Sequence, residues 1–164
     1  MTHLQVFRGT CAAAVCAITV GVAVAQQART PPDPFLGTWV LNVAKSRYSP
    51  GPMPKEQTVV YEAAGEGVKV TARTVDASGN TVTTVYTAGT DGSDYKVTGN
   101  PDWDEISIKR VNANSTEFSR KRSKKVVQTG TNVVSTDGKT RTLIANGTDS
   151  LGRRVNNVSV YDRK

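Results

Sequence analysis

Histidine and cysteine are almost missing from this 164-residue chain, and the few present, His3, Cys11 and Cys16, all stand near its start. From Ala17 onward there is neither imidazole nor thiol. Nucleophilic triads need an imidazole base, zinc sites draw on histidine or cysteine, and the usual proximal haem ligand is histidine. Carboxylate, tyrosine or lysine acid–base chemistry and oxygen-ligated cations such as calcium survive this exclusion. The expectation is a protein that binds rather than catalyses, with no cofactor and no metal site.

A long hydrophobic run is also lacking. The longest, residues 12–25 (AAAVCAITVGVAVA), spans 14 residues, short of the ~18 to 20 that cross a bilayer. Arg8 precedes it and Ala23-Val24-Ala25 ends it before Gln26. That order of cation, apolar run and small-residue cleavage site is the pattern of a secretory signal peptide. Residues 1–25 are therefore expected to be a signal peptide, 26–34 an extended, proline-rich lead-in, and 35–164 a single domain. The predicted product is secreted or periplasmic, monomeric, without a stable membrane anchor, and free of disulfides because no cysteine is left.

Short runs rich in valine, threonine and tyrosine fill the rest, separated by glycine, asparagine and aspartate clusters every ten to fourteen residues. This spacing signals an all-β sandwich or barrel. Strands are expected near 37–42, 57–63, 68–74, 81–88, 95–98, 105–111, 116–122, 125–135, 140–146 and 155–163, with one helical turn possible at 43–46. Gly65-Glu66-Gly67, Asp76 to Gly79, Asp91-Gly92, Asn112 to Asn114, Asp137-Gly138 and Asp149 to Gly152 supply the tight turns. Such turns make neighbours antiparallel, giving an up-and-down meander of 8 to 10 strands.

The period of two assigns faces. Val59 and Tyr61, Val68 and Val70, Val82 and Tyr86, Ile106 and Ile108, and Val158 and Val160 fall on one apolar face, with Glu62, Lys69, Arg73 and Lys109 opposite. A sheet with one apolar face and no covering helix does best closed into a barrel or clam, which also removes its edges. The same parity points Arg110 inward beside Ile106 and Ile108, and Arg120 beside Phe118. Cations inside a small barrel are costly unless paired or hydrated, so both are candidates for an anionic head group. Alternatively, both sit at strand ends and reach water.

Phe35-Leu36-Gly37-Thr38-Trp39-Val40-Leu41 opens the first strand, and here the chain resembles the calycins, the lipocalins and cytosolic fatty-acid-binding proteins. Their GxW closes one end of a barrel that carries a small hydrophobic ligand. Ten strands and Lys45-Ser46-Arg47-Tyr48 look like the fatty-acid-binding branch. The signal pattern and the cysteine-free barrel look like an exported bacterial lipocalin-like protein. Residues 42–56 hold Pro50, Pro52 and Pro54 and cannot form the two helices which that branch inserts after the first strand. Its arginine-before-tyrosine pair on the last strand is reversed here, Tyr161 preceding Arg163, so that role is not carried over. The resemblance implies a small apolar or amphipathic ligand, with Tyr61, Tyr86 and Phe118 lining a cavity, Trp39 plugging one end, and Arg110 or Arg120 meeting an anion.

Two charged clusters admit other readings. The run Arg120-Lys121-Arg122-Ser123-Lys124-Lys125 suits an acidic partner of an envelope or surface interaction module, or is a solvated hairpin tip. A nucleic-acid partner is not expected, because Phe118 is the one nearby aromatic and its parity buries it. Asp91, Asp94, Asp102, Asp104 and Glu105 match no calcium loop and read as turn-forming residues. Trp103 beside them reads as an anchor for its loop.

Overall fold

The computed structural model describes Met1 and residues 32–164. The segment read as a signal peptide, Met1 apart, and the first part of the lead-in lie outside the described residues.

Eleven strands follow in chain order: β1 (Gly37–Leu41), β2 (Arg47–Ser49), β3 (Glu56–Ala64), β4 (Gly67–Val75), β5 (Thr81–Ala88), β6 (Asp91–Thr98), β7 (Glu105–Asn112), β8 (Ser115–Arg122), β9 (Lys125–Val134), β10 (Thr140–Thr148) and β11 (Arg154–Arg163). From β3 to β11 each pairs antiparallel with the next, as short turns dictate. β1 closes the ring by pairing on both sides, Trp39 opposite Val59 of β3 and Arg163 of β11. β2 continues β1 along β11, Tyr48 opposite Asn157. The two are halves of one wall strand, broken by the 3-10 turn Val43–Lys45, whose Lys45 N–H donates to Asn42 Oδ1. Ten wall positions therefore form a closed antiparallel meander barrel, the architecture the strand spacing predicts.

The structure corrects three details. β2 was not expected within the proline-rich stretch, but its three residues fit between the 3-10 turn and Pro50, which has no N–H to extend the ladder. β6 starts at Asp91 rather than Tyr95, because a register shift between Asp91 and Asp94 absorbs Gly92, at φ 85°, inside the strand. Third, Val158 and Val160 point outward. The inner positions of β11 are Val155, Ser159 and Tyr161, all buried, together with Asn157. Hydrophobic parity misleads on this strand because its inner face meets a partly polar interior.

One end of the barrel is sealed. Trp39 is fully buried and its Nε1 donates to the Phe35 carbonyl at 2.8 Å. The Arg163 guanidinium lies 4.1 Å from the Trp39 ring and donates to the carbonyls of Gly138, Leu36 and Pro34. Gly37 makes this approach possible. It holds φ 117°, and a Cβ there would stand 2.8 Å from Arg163 Nη1. Around Trp39 gather Phe35, Leu41, Val59, Tyr61, Val70 and Tyr161. A second buried cluster, centred on Trp103, Ile106, Ile108 and Phe118, lies against β6 to β8. Tyr86 and Leu143 pack against both.

The wall is uneven. β10 and β11 pair from Thr140↔Asp162 to Thr148↔Arg154, whereas β5 and β6 pair only at Val85↔Thr98 and Tyr86↔Val97. Beyond that point the chain leaves the wall, and residues 99–104 turn Trp103 into the barrel.

Candidate functional site: an interior cavity with two unpaired guanidiniums

Inward residues of β3, β4, β5, β10 and β11 enclose a cavity of about 390 Å³, reaching the end that carries the β4–β5 turn and the loops at 50–55 and 99–104. Pockets of roughly 300 to 1,000 Å³ hold small organic ligands. The lining is mixed: Val59, Val70, Leu143 and Ala145 are apolar, while Gln57, Thr74, Thr84 and Ser159 are polar.

Arg141, on β10, is 1% exposed. Its Nη1 donates to Tyr61 Oη at 3.1 Å and Asn132 Oδ1 at 3.3 Å, and its guanidinium carbon stands 3.9 Å from the centre of the Tyr161 ring. Nε and Nη2 have no partner. Arg120, on β8, donates from Nη1 to Gln128 Oε1 at 2.9 Å and lies between the rings of Trp103 and Phe118, 4.5 and 4.7 Å from their centres. Its Nε is buried without a partner. Desolvation lowers the Arg120 pKa from its ordinary value. A guanidinium starts so far above neutrality that it keeps its charge.

No carboxylate neutralises either group. Asp33 is the first acidic residue of the sequence, so every Asp and Glu lies among the described residues, and no ion pair includes Arg120 or Arg141. Burying an ion without a counter-charge is expensive. Here polar oxygens and aromatic faces, which attract cations, offset part of that cost.

Phenols complete the interior. Tyr48 Oη and Ser159 Oγ are 2.7 Å apart, and Tyr161 Oη donates to Gln57 Oε1 at 2.5 Å. Burial first, then the neighbouring Tyr161, pushes the Tyr48 pKa up. Burial and Tyr61 do the same to Tyr86. Both phenols stay neutral hydrogen-bonding groups at physiological pH.

The residues singled out from sequence are divided between two spaces. Tyr61, Tyr86 and Arg120 line the main cavity. They also border a smaller recess of about 30 Å³, where Phe118 and Arg110 sit. Arg110 is ion-paired with Asp33 and lies 5.1 Å from the centre of the Phe35 ring, so its charge is already compensated. Arg141 escaped the sequence reading, although parity with Leu143 and Ala145 would have flagged it as parity flagged Arg120. Trp103 proves both loop anchor and cavity wall, held by its N–H and that of Asp102 donating to Asn100 Oδ1.

The charged clusters are engaged with one another. Lys121 pairs with Asp94, Lys124 with Glu105, and Arg122 donates to the Pro101 carbonyl. With Arg120 inside, four of the five cations of the basic run have partners. Asp104 accepts from the Ser123 N–H and Asp102 from the Ser150 N–H, so these carboxylates fasten the loop to adjacent hairpins. Among the described residues, no group of three or more potential metal ligands is brought together.

No family model matches the sequence, and no curated protein matches it. Among solved structures, zebrafish ileal bile acid-binding protein, crystallised with cholic acid, superposes with a TM-score of 0.50, covering 80% of this chain and 99% of that one at 14% identity. At that identity the likeness is one of fold, and it agrees with the ten-position meander. The chain thus shares its fold with that structure, a closed antiparallel barrel like those of the calycins.

Proposed function

We propose that the protein is a non-catalytic carrier of a small amphipathic molecule, whose apolar body fills the barrel and whose anionic group meets the interior guanidiniums. The observation carrying this reading is the pair Arg120, half-buried with a buried free Nε, and Arg141, buried with free Nε and Nη2, neither in any ion pair, while the two carboxylates at the cavity mouth, Asp76 and Asp102, accept from Asn80 and the Ser150 N–H instead. An incoming carboxylate would receive charge-assisted hydrogen bonds, the strongest kind for which the site has unused donors. A solved structure of like fold, the zebrafish ileal bile acid-binding protein, was crystallised with cholic acid, itself an amphipathic acid. The signal pattern of residues 1–25 supports a carrier that works outside the cytoplasm, and the closed ring of paired strands supports a monomer.

Titration of the purified protein with an environment-sensitive apolar dye, then displacement by dodecanoate and by cholate, tests the reading. Saturable uptake at one site, reversed by the amphiphile, is expected. Absence of saturable uptake for every probe would sink it. The envelope-module alternative loses support from the internal pairing of the basic hairpin. It would regain it if an acidic partner bound in a salt-sensitive manner and Lys124→Gln with Lys125→Gln abolished that binding.

A further inference from the structure

β11 is turned the wrong way for an apolar interior. Val158 and Val160 stand half-buried on its outer face, while Asn157, Ser159 and Tyr161 line the cavity. A slip of one residue along the ladder would bring both valines inside. The pairing forbids that slip: Ser159 is held opposite Leu143, and Asn157 stands between Ala145 of β10 and Tyr48 of β2. Leu143 and Ala145 also line the cavity, so apolar surface runs directly beside this polar row. Burial of apolar surface drives folding. A strand that leaves valines outside and sets polar groups within forgoes part of that gain.

The protein satisfies this row only in part. Tyr161 Oη is spent on Gln57 Oε1. Tyr48 Oη and Ser159 Oγ bring two hydroxyls to one contact of 2.7 Å, which uses one of their two hydrogens and leaves the other free. Asn157 Oδ1 accepts from the Ser49 N–H at 3.1 Å, and no hydrogen bond among the described residues uses its amide nitrogen. Resting on the carrier reading above, we infer that the ligand bears a hydroxyl or similar neutral polar group on the flank of its apolar body, recognised by Tyr48, Asn157 and Ser159. These three are specificity-determining residues, separate from the guanidiniums that meet the anion. The sign of the effect is opposite to that of a cavity selecting for apolarity alone. There, a hydroxyl on the ligand would lose its water without finding a partner, and binding would weaken.

The test compares dodecanoate with a set of hydroxydodecanoates that differ in the position of the hydroxyl, by calorimetry at neutral pH. At least one isomer is expected to bind about three- to tenfold more tightly than dodecanoate, the worth of a neutral hydrogen bond. Ser159→Ala combined with Tyr48→Phe removes both hydroxyls of the shared contact and should abolish that preference, with a melting curve confirming that the variant is folded. Equal or weaker binding of every isomer overturns the inference while leaving the carrier reading in place, and this comparison needs no variant. A preference that survives in the folded double variant overturns it too. If no compound binds, dodecanoate included, both readings fall.

Discussion

Trp39 and Trp103 are both buried, and each carries a guanidinium on its ring, Arg163 at 4.1 Å and Arg120 at 4.5 Å. Their settings are nevertheless opposed. Trp39 stands in a paired strand with its indole N–H bonded, and Arg163 donates to three backbone carbonyls. Trp103 hangs from a loop, and the arginine beneath it has one side-chain acceptor and a bare Nε. A cation whose donors are all used by the protein fastens structure. One left with donors to spare inside a cavity is available to something else. The sealed end is thus the barrel's structural half, and the mouth end its receptive half.

The largest effect expected from this contrast is on stability. Trp39→Ala removes a fully buried side chain from the sealed end and should cost about 3 to 5 kcal/mol. Trp103→Ala removes one that already faces open space, so less packing is lost, and about 1 to 3 kcal/mol is expected. Urea denaturation of the two variants gives both values. Equal costs would break the division into halves.

Much of this was legible in the sequence, for a physical reason. Strand spacing, turn residues and the glycine before Trp39 are local signals, and they delivered the meander, its closure and the plugged end. Parity delivered Arg120, because Phe118 beside it is apolar and fixes the phase. On β11 the same rule pointed Val158 and Val160 inward, since it assumes an apolar interior and this strand faces the cavity with Asn157 and Ser159. The partner of Arg110 was hidden because Asp33 lies 77 residues away in a segment with no period of its own.

A smaller difference is expected between the two arginines on the tryptophans. Arg163→Ala deletes three charge-assisted bonds to carbonyls and a ring contact, but the side chain is exposed, so about 1 to 2 kcal/mol is expected. Arg120→Gln removes a half-buried charge that no carboxylate pairs and should change stability by less than about 1 kcal/mol, in either direction. Binding inverts the order. Dodecanoate affinity should be little changed in Arg163→Ala and should fall about tenfold in Arg120→Gln. If Arg120→Gln costs more stability than Arg163→Ala, Arg120 is a structural strut and the receptive half has been misassigned.

The smallest effect concerns the dryness of the cavity, and it appears only in alkali. Tyr48 and Tyr86 have folded pKa values raised by burial above the ordinary phenol value. In the unfolded chain both would ionise near pH 10. The folded state therefore holds these protons longer, and their contribution is fully present below about pH 10 and lost progressively as pH rises above it. Thermal unfolding followed from neutral pH upward should show a steady midpoint that begins to fall near pH 10. Phenolate absorbance from Tyr48 and Tyr86 should develop together with unfolding rather than before it. Tyr86→Phe should make the alkaline decline shallower, because one raised phenol is gone. Should Tyr86 instead ionise reversibly in the folded protein near pH 10, the space between the two arginines holds bulk-like water. An anion there would then gain little over solvent, and the receptive half would lose its physical basis.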